Sequence, residues 1–406
     1  MRLLSVSVSV LVVSALAVGG LAVPLATPVA WAADAAPAAA TPEKALGIAI
    51  KLTPEQKAGV EELRTAMLTG KMNFALARKP GYGPALLALA AGAEDPKVVA
   101  NALQSVIFAY RGLGVGGDSP QVDETVKKVA LGRSGSADGR IQISALRVMA
   151  MFLNGDKPDK ALLARYVALW SEAKASPALR HAVLRNLFGL TGAWVTNDPK
   201  VLDLLFAATA DSDLFVRVSA LMASEGASSQ IPEGDMALRK RYIDAWIAAT
   251  KAPEVEVRTT AAHIMAVFGF GNQEDKPGLQ QAMLALIADP APGPRTAAMM
   301  FVADQNLREH LPLIKAALED KTNILVTLTG FKDLGGTPNM LNAGLYPLEQ
   351  PYQVRHYAAV AVQKWANVAG EELPWVAMPD DGEEESAAKA VDARVAAAKA
   401  WLAKAK

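Results

Sequence analysis

One phrase of about a dozen residues returns along this chain at intervals near forty, and that return constrains the fold more than any other feature. Each copy has an acid or small polar residue, an aliphatic three positions on, often Arg next, and a small residue four after the aliphatic. The clearest copies are DLFVRVSALMAS from Asp213, EVEVRTTAAHIMAVF from Glu254 and SPALRHAVLRNLF from Ser176. Weaker ones start at Asp95, Asp138, Ala291, Asp320 and Pro351. Taking the residue after the aliphatic as a marker gives Val99, Gln142, Arg180, Arg217, Arg258, Arg295, Ile324 and Arg355, with steps of 43, 38, 37, 41, 37, 29 and 31. Steps near forty suit two helices plus loops. The two short steps flank Ile324 and mark either a truncated unit or a misaligned copy.

A second pattern fills the intervals: PDKALLARYVALWSEA from Pro158, DPKVLDLLFAATA from Asp198, MALRKRYIDAWIAAT from Met236 and GLQQAMLALIA from Gly278. Its apolar residues, such as Leu162, Leu163, Tyr166 and Leu169, recur at helical spacing. The expected order is outer helix, short acidic turn, inner helix, then a Gly-rich loop. Composition agrees, since 51% hydrophobic residues with only 6% aromatics, and alanine in excess, favour helix over sheet. The expected fold is all-α: a right-handed α-solenoid, or superhelix, of about seven to eight helix-pair repeats over residues 53–378. A helix pair hides only one face by itself, so each unit must stack on its neighbours.

Position within the phrase assigns roles. With the aliphatic as zero, residues 0, +4, +7 and +8 share one face and should be core. The acid at −3 should cap the inner helix, where a carboxylate satisfies free N–H groups and meets the positive dipole end. The Arg at +1 lies on the flank, within reach of an acid of the adjacent unit. Asp95, Asp138, Arg180, Asp213, Arg217, Glu254, Arg258, Arg295 and Arg355 are thus expected to form a structural ladder. The alternative is a row of ligand-binding arginines.

The phrase resembles the HEAT repeats, in particular the bacterial HEAT-like type first noted in phycobilisome lyases, with signature D-P-x-V-R-x-x-A-x-x-A-L. Asp95-Pro96-Lys97-Val98, and Val216-Arg217 with Ala220, carry the likeness, which covers roughly residues 85 to 365. The resemblance implies architecture rather than activity. The lyases are cytosolic pigment-attachment proteins, a role that does not suit an exported chain.

Export is the expectation from the first residues. Met1 and Arg2 precede an apolar stretch from Leu3 to Val23, and Ala30-Trp31-Ala32 is an A-x-A cleavage signal. Residues 1–32 are expected to be a signal peptide and the protein periplasmic or secreted. The rival reading is an uncleaved anchor, because the apolar run could span a bilayer. Residues 33–52 read as a flexible Ala/Pro-rich leader, 379–386 as an acidic loop, and 387–406 as a C-terminal capping helix with Val391, Val395, Ala398 and Leu402 on one face and Trp401 as an anchor. Thr53-Pro54-Glu55-Gln56 has the form of a capping box opening the first helix.

The chain has no cysteine, which excludes a lipid anchor on cysteine, disulfides and thiolate metal sites. Charges balance at 41 bases and 41 acids; residues 1–32 hold one base and no acid, leaving 40 against 41 after cleavage. Nucleic acid is not an expected partner, since a duplex binder needs a basic footprint. No G-x-S-x-G occurs, and the run Gly112-Leu113-Gly114-Val115-Gly116-Gly117 follows a helix and lacks the Gly-Lys-Ser/Thr of a phosphate loop. No metal, cofactor or catalytic residue is expected, and the chain reads as a non-enzyme.

Positions +2, +6 and +9 point away from the core and are expected on the concave face. The +6 row reads Gln104, Arg147, Arg185, Met222, His263, Met300 and Val360; the +2 row includes His181 and His356. Three of the four histidines fall on these two rows. Gln104, Arg147, His181, Arg185, Met222, His263, Met300 and His356 are the expected partner-binding residues, in a groove basic at one end and Met-lined at the other. Arg can fix a carboxylate by paired hydrogen bonds and Met adapts to apolar side chains. The expected function is an exported scaffold or adaptor that binds a protein or peptide there. The alternative is a small-molecule or anion binder, or an enzyme, with an inter-repeat pocket near His181 or His356.

Overall fold

The structure is a computed structural model and describes residues 43–111, 120–153, 159–173, 176–188, 193–267, 276–322, 353–374, 376 and 384–404. Two helices, α1 (Pro54–Leu68) and the short α2 (Phe74–Ala77), precede the repeats. Seven helix pairs follow among the described residues: α3 (Tyr82–Gly92) with α4 (Pro96–Arg111), α5 (Pro120–Arg133) with α6 (Gly139–Ala150), α7 (Lys160–Glu172) with α8 (Pro177–Phe188), α10 (Pro199–Ala208) with α11 (Leu214–Ser228), α12 (Met236–Ala249) with α13 (Val255–Val267), α14 (Lys276–Leu286) with α15 (Pro292–Asp304), and α16 (Leu311–Ala317) with α17 (Val354–Val368). One extra turn, α9 (Ala193–Thr196), joins α8 to α10, and α18 (Glu384–Lys404) closes the chain.

The inner helices α4, α6, α8, α11, α13, α15 and α17 pack on one another in chain order, and each also packs on the outer helix of its own pair. That is an all-α solenoid. The pattern arises because the inner helices have two flanks and a back to bury. In all seven described copies the zero and +4 positions are buried, from Val98 and Ala102 through Val216 and Ala220 to Val354 and Ala358. Alanine at +4 lets neighbouring backbones approach. A closer approach occurs at Gly293, where an added Cβ would lie 2.6 Å from Thr259 Oγ1.

Local signals act where the sequence puts them. Thr53 and Gln56 exchange hydrogen bonds around Pro54 to start α1. Asp95, Asp138 and Asp213 accept N–H bonds at the heads of α4, α6 and α11, and Asp159, Asp198 and Asp235 do the same for the outer helices.

Two expectations change. The leader is not loose up to residue 52: from Glu43 it lies along the first units, with Leu46, Ile48 and Ile50 against the core and Leu46 N–H bonded to the Ala91 carbonyl. Its fastener is Arg133, 1% exposed, which donates to the Ala90, Ala91, Ala93 and Lys44 carbonyls and to Glu43. This one side chain satisfies the open carbonyl end of α3. The acidic loop ends earlier than 386, because α18 begins at Glu384. At the copy left open around Ile324, α17 stacks directly on α15. Ile324 itself, and the Gly-rich loops at 112–117, 269–271 and 335–336, lie outside the described residues. Helix α18 packs on α17 through Val391, Val395, Ala398 and Leu402, and Trp401 Nε1 donates to Glu371 at 2.8 Å.

Candidate functional site

Two rows of charged and polar residues run along the inner helices, at different angles from the core. The first is the +1 row. Arg180 meets Asp211 at 2.9 Å, Arg217 meets Glu254 at 2.6 Å, Arg258 meets Asp289 at 2.8 Å, Arg295 meets Asp320 at 2.8 Å, and Arg355 meets Asp392 at 2.5 Å. Each acid belongs to the following unit or, for Arg355, to α18. Arg180, Arg217, Arg258 and Arg295 also donate to carbonyls of the turn before their own helix. Each of these four arginines therefore ties its own turn to the next one. Asp289 shows the balance: burial pushes its carboxyl up, but Arg258 and the Ala291 N–H hold it below the usual range.

The acids differ from those expected. Glu254 is a predicted acid and does receive Arg217. Asp95, Asp138 and Asp213 cap helices instead, and the other carboxylates, Asp211, Asp289 and Asp320, sit at the start of the turn. Each of these three also accepts the N–H two residues on, at Asp213, Ala291 and Thr322. The sequence signal was an Asp two residues before the Asp213 cap or before Ala291, where Asp-turns form.

The second row is +6. Gln104, Arg147, Met222, His263, Met300 and Val360 are half-buried and Arg185 is exposed. The +2 row differs: Ala100, Ile143, His181, Val218, Thr259, Thr296 and His356 are all buried. His181 and His356 therefore do not line an open groove. The physical reason is the tightness of the stack. Position +2 lies in the first turn, under the head of the next inner helix, as the Thr259–Gly293 approach shows. His181 Nδ1 sits 2.5 Å from Ser219 Oγ of α11, in the seam between units. Its burial, with the charges of Arg185 and Arg147, pushes its pKa down to about 4, so it is neutral near pH 7. His356 is held down to about 4 by burial and by Arg394. The open side is turned towards +6 and +10, where Phe108, Gly226 and Asp304 are exposed and Met151 and Lys364 half-buried. The +10 row was missed because it falls at the ragged C-terminal ends of the phrase.

Charges on this open side are handled unequally. Asp304 of α15 and Lys364 of α17 pair with each other across the seam. Arg147 of α6 and Arg185 of α8 lie on adjacent helices and feel each other's charge; burial first, then Arg185, disfavours the Arg147 cation. No carboxylate pairs with Arg147 among the described residues. Glu225, at +9 on α11, is half-buried, and burial alone raises its carboxyl above the ordinary range. Among the described residues no group of three or more His, Asp or Glu side chains could hold a metal ion, and no helix is long and apolar enough to cross a membrane.

The chain is a helical-repeat protein, on the packing of its own helices. No family model matches it, and no curated protein does. Solved structures similar to it include the Escherichia coli protein YibA (11% identity, 86% of this chain and 99% of that one, TM-score 0.43). A chain of the Kap95p–RanGDP complex is similar over 86% of this chain and 44% of its own length, at 17% identity and TM-score 0.45. An engineered protein matches at 14% identity, over 84% of this chain and 96% of its own, with TM-score 0.39.

Proposed function

We propose that this protein is a non-catalytic scaffold of the HEAT-like type, exported to the periplasm or beyond, that holds a protein or peptide partner along its inner helices. The observation that carries the reading is the +6 row. On all seven inner helices this position is left partly open, while the 0, +2 and +4 positions are buried. The result is a continuous strip with Arg147 and Arg185 towards one end and Met222, His263 and Met300 further along. Such a strip presents separate anchors at regular helix spacing, which suits an extended segment rather than a compact ligand. Balanced charge and the missing catalytic motifs agree with a binding role.

The test is site-specific photocrosslinking in the cell envelope. A benzophenone amino acid is placed at Met222 or Met300, and at Lys240 on the outer helix α12 as a control. The expected result is one discrete adduct from Met222 and Met300 and none from Lys240, lost in an R147A/R185A/H263A variant. Adducts from Lys240 alone, or adducts indifferent to the triple variant, overturn the inner-strip reading. Fractionation of an epitope-tagged chain checks export: recovery in the cytoplasm with the first 32 residues still attached overturns it.

A further inference from the structure

The inner strip carries two charges of opposite sign that the fold leaves uncompensated. The contrast with the rest of the chain is what gives them meaning. Arginines at +1 are paired with acids, and even on the open side Asp304 and Lys364 neutralise each other. Arg147 instead stands beside a second cation, Arg185, with no acid of its own among the described residues. A like-charged neighbour and partial burial make this an expensive place for a guanidinium. Glu225 is the mirror case: a half-buried carboxylate raised by burial, with no cation paired to it among the described residues. Unpaired, half-buried charges are costly in a folded chain unless something arrives to pair them.

We propose that the partner segment is itself dipolar: a carboxylate of the segment docks on Arg147 beside Arg185, and a basic side chain of the same segment docks on Glu225. This deepens the scaffold reading and rests on it. Geometry sets the spacing. Arg147 and Glu225 are two inner helices apart, about 16–20 Å, and three residues apart in the phrase, about 4.5 Å along the helix axis. An extended chain advances about 3.3 Å per residue, so acid and base are separated by about five or six residues. Their order along the strip is fixed by the direction from α6 to α11. Met222, one turn before Glu225 on α11, offers an apolar contact between the two charges. The Arg147 guanidinium can take a carboxylate with paired N–H donors, and the charges become fully effective only as the arriving segment displaces water.

The probe is a random nonapeptide library displayed on phage and selected on the immobilised full-length chain. The expected outcome is enrichment of Asp or Glu followed or preceded, in one direction only, by Lys or Arg at a spacing of about five or six residues. Arg147→Ala should remove the acid preference by tenfold or more in anisotropy measurements on the selected peptides. Glu225→Gln should remove the basic preference and leave the acid one. Arg147→Glu combined with Glu225→Arg should invert the selected charges, a result that mere unfolding cannot imitate, and circular dichroism confirms helicity in each variant. Selection without charge enrichment, or enrichment unchanged by Arg147→Ala, overturns the proposal. If the library shows no such pattern while the Met222 crosslink persists, the dipolar ligand is wrong and the inner-strip reading stands; if the crosslink also fails, both fall.

Discussion

Five arginines at the heads of α8, α11, α13, α15 and α17 and one arginine in the last turn of α6 occupy the same kind of helix, yet the fold treats them oppositely. Arg180, Arg217, Arg258, Arg295 and Arg355 each meet a carboxylate from the next element. Arg147 meets only another arginine among the charged groups around it. The difference lies in which way the residue points. Position +1 faces the turns, where each unit delivers an acid to its predecessor, so charge there is spent on joining units. At +6, Arg147 faces the open side, where no carboxylate pairs with it among the described residues. An arginine at +1 is therefore a fastener, while Arg147 at +6 is left for something outside the chain.

That comparison breaks if charge at both places proves equally structural. The largest expected loss is at the most enclosed fastener: Arg133→Ala leaves Glu43 and four carbonyls without their donor and should cost about 4 kcal/mol in urea unfolding. A loss under about 1 kcal/mol would show that the leader strap is not anchored as described. Next come the seam histidines. His181 and His356 have folded pKa values of about 4 against 6.5 for the free side chain. The unfolded chain then binds more protons below pH 6.5, so stability is full above that pH and falls as pH drops from 6.5 through 4, by roughly 3 kcal/mol per histidine at the acid end. Thermal unfolding from pH 7 to 4 should show this slope, and H181N/H356N should flatten it. Third, Arg258→Ala removes a two-pronged pair with Asp289 and two carbonyl bonds, and about 2 kcal/mol should disappear. The smallest effect sharpens the contrast: Arg147→Ala should change stability by less than about 0.5 kcal/mol, or raise it slightly, because a like-charge neighbour is relieved. A loss as large as that of Arg258→Ala would place Arg147 among the fasteners.

Much of the fold was legible, and the reasons are specific. The −3, 0 and +4 positions of the phrase name the head and the buried face of each inner helix, because capping chemistry and a 3.6-residue period are local properties. Thr53–Gln56 announces α1 for the same reason. The ladder was half legible. Arg180, Arg217, Arg258, Arg295 and Arg355 were assigned to it, but Asp211, Asp289, Asp320 and Asp392 were not named as their partners, since which turn reaches which arginine depends on the offset between units. Arg133 carried no signal: it ends an ordinary outer helix, and its five acceptors come from the end of α3 (Ala90, Ala91, Ala93) and from the strap beside it (Glu43, Lys44).

The candidate strip divides in the same way. Periodicity alone places +2 and +6 together, opposite the core, so His181 and His356 joined Arg147, Arg185 and the methionines. The stack separates them, closing +2 beneath the next helix head and leaving +6 and +10 open.

By itself, then, the sequence determined that the chain is helical, where its inner helices begin, which side of each is apolar and that arginine recurs at their heads, because these follow from interactions within a few residues. Only the tertiary structure decided which acid each arginine holds, that the leader is strapped down by Arg133, and which polar row stays open. Those depend on how far one helix is shifted and turned against the next, and side-chain size summed over whole interfaces sets that quantity.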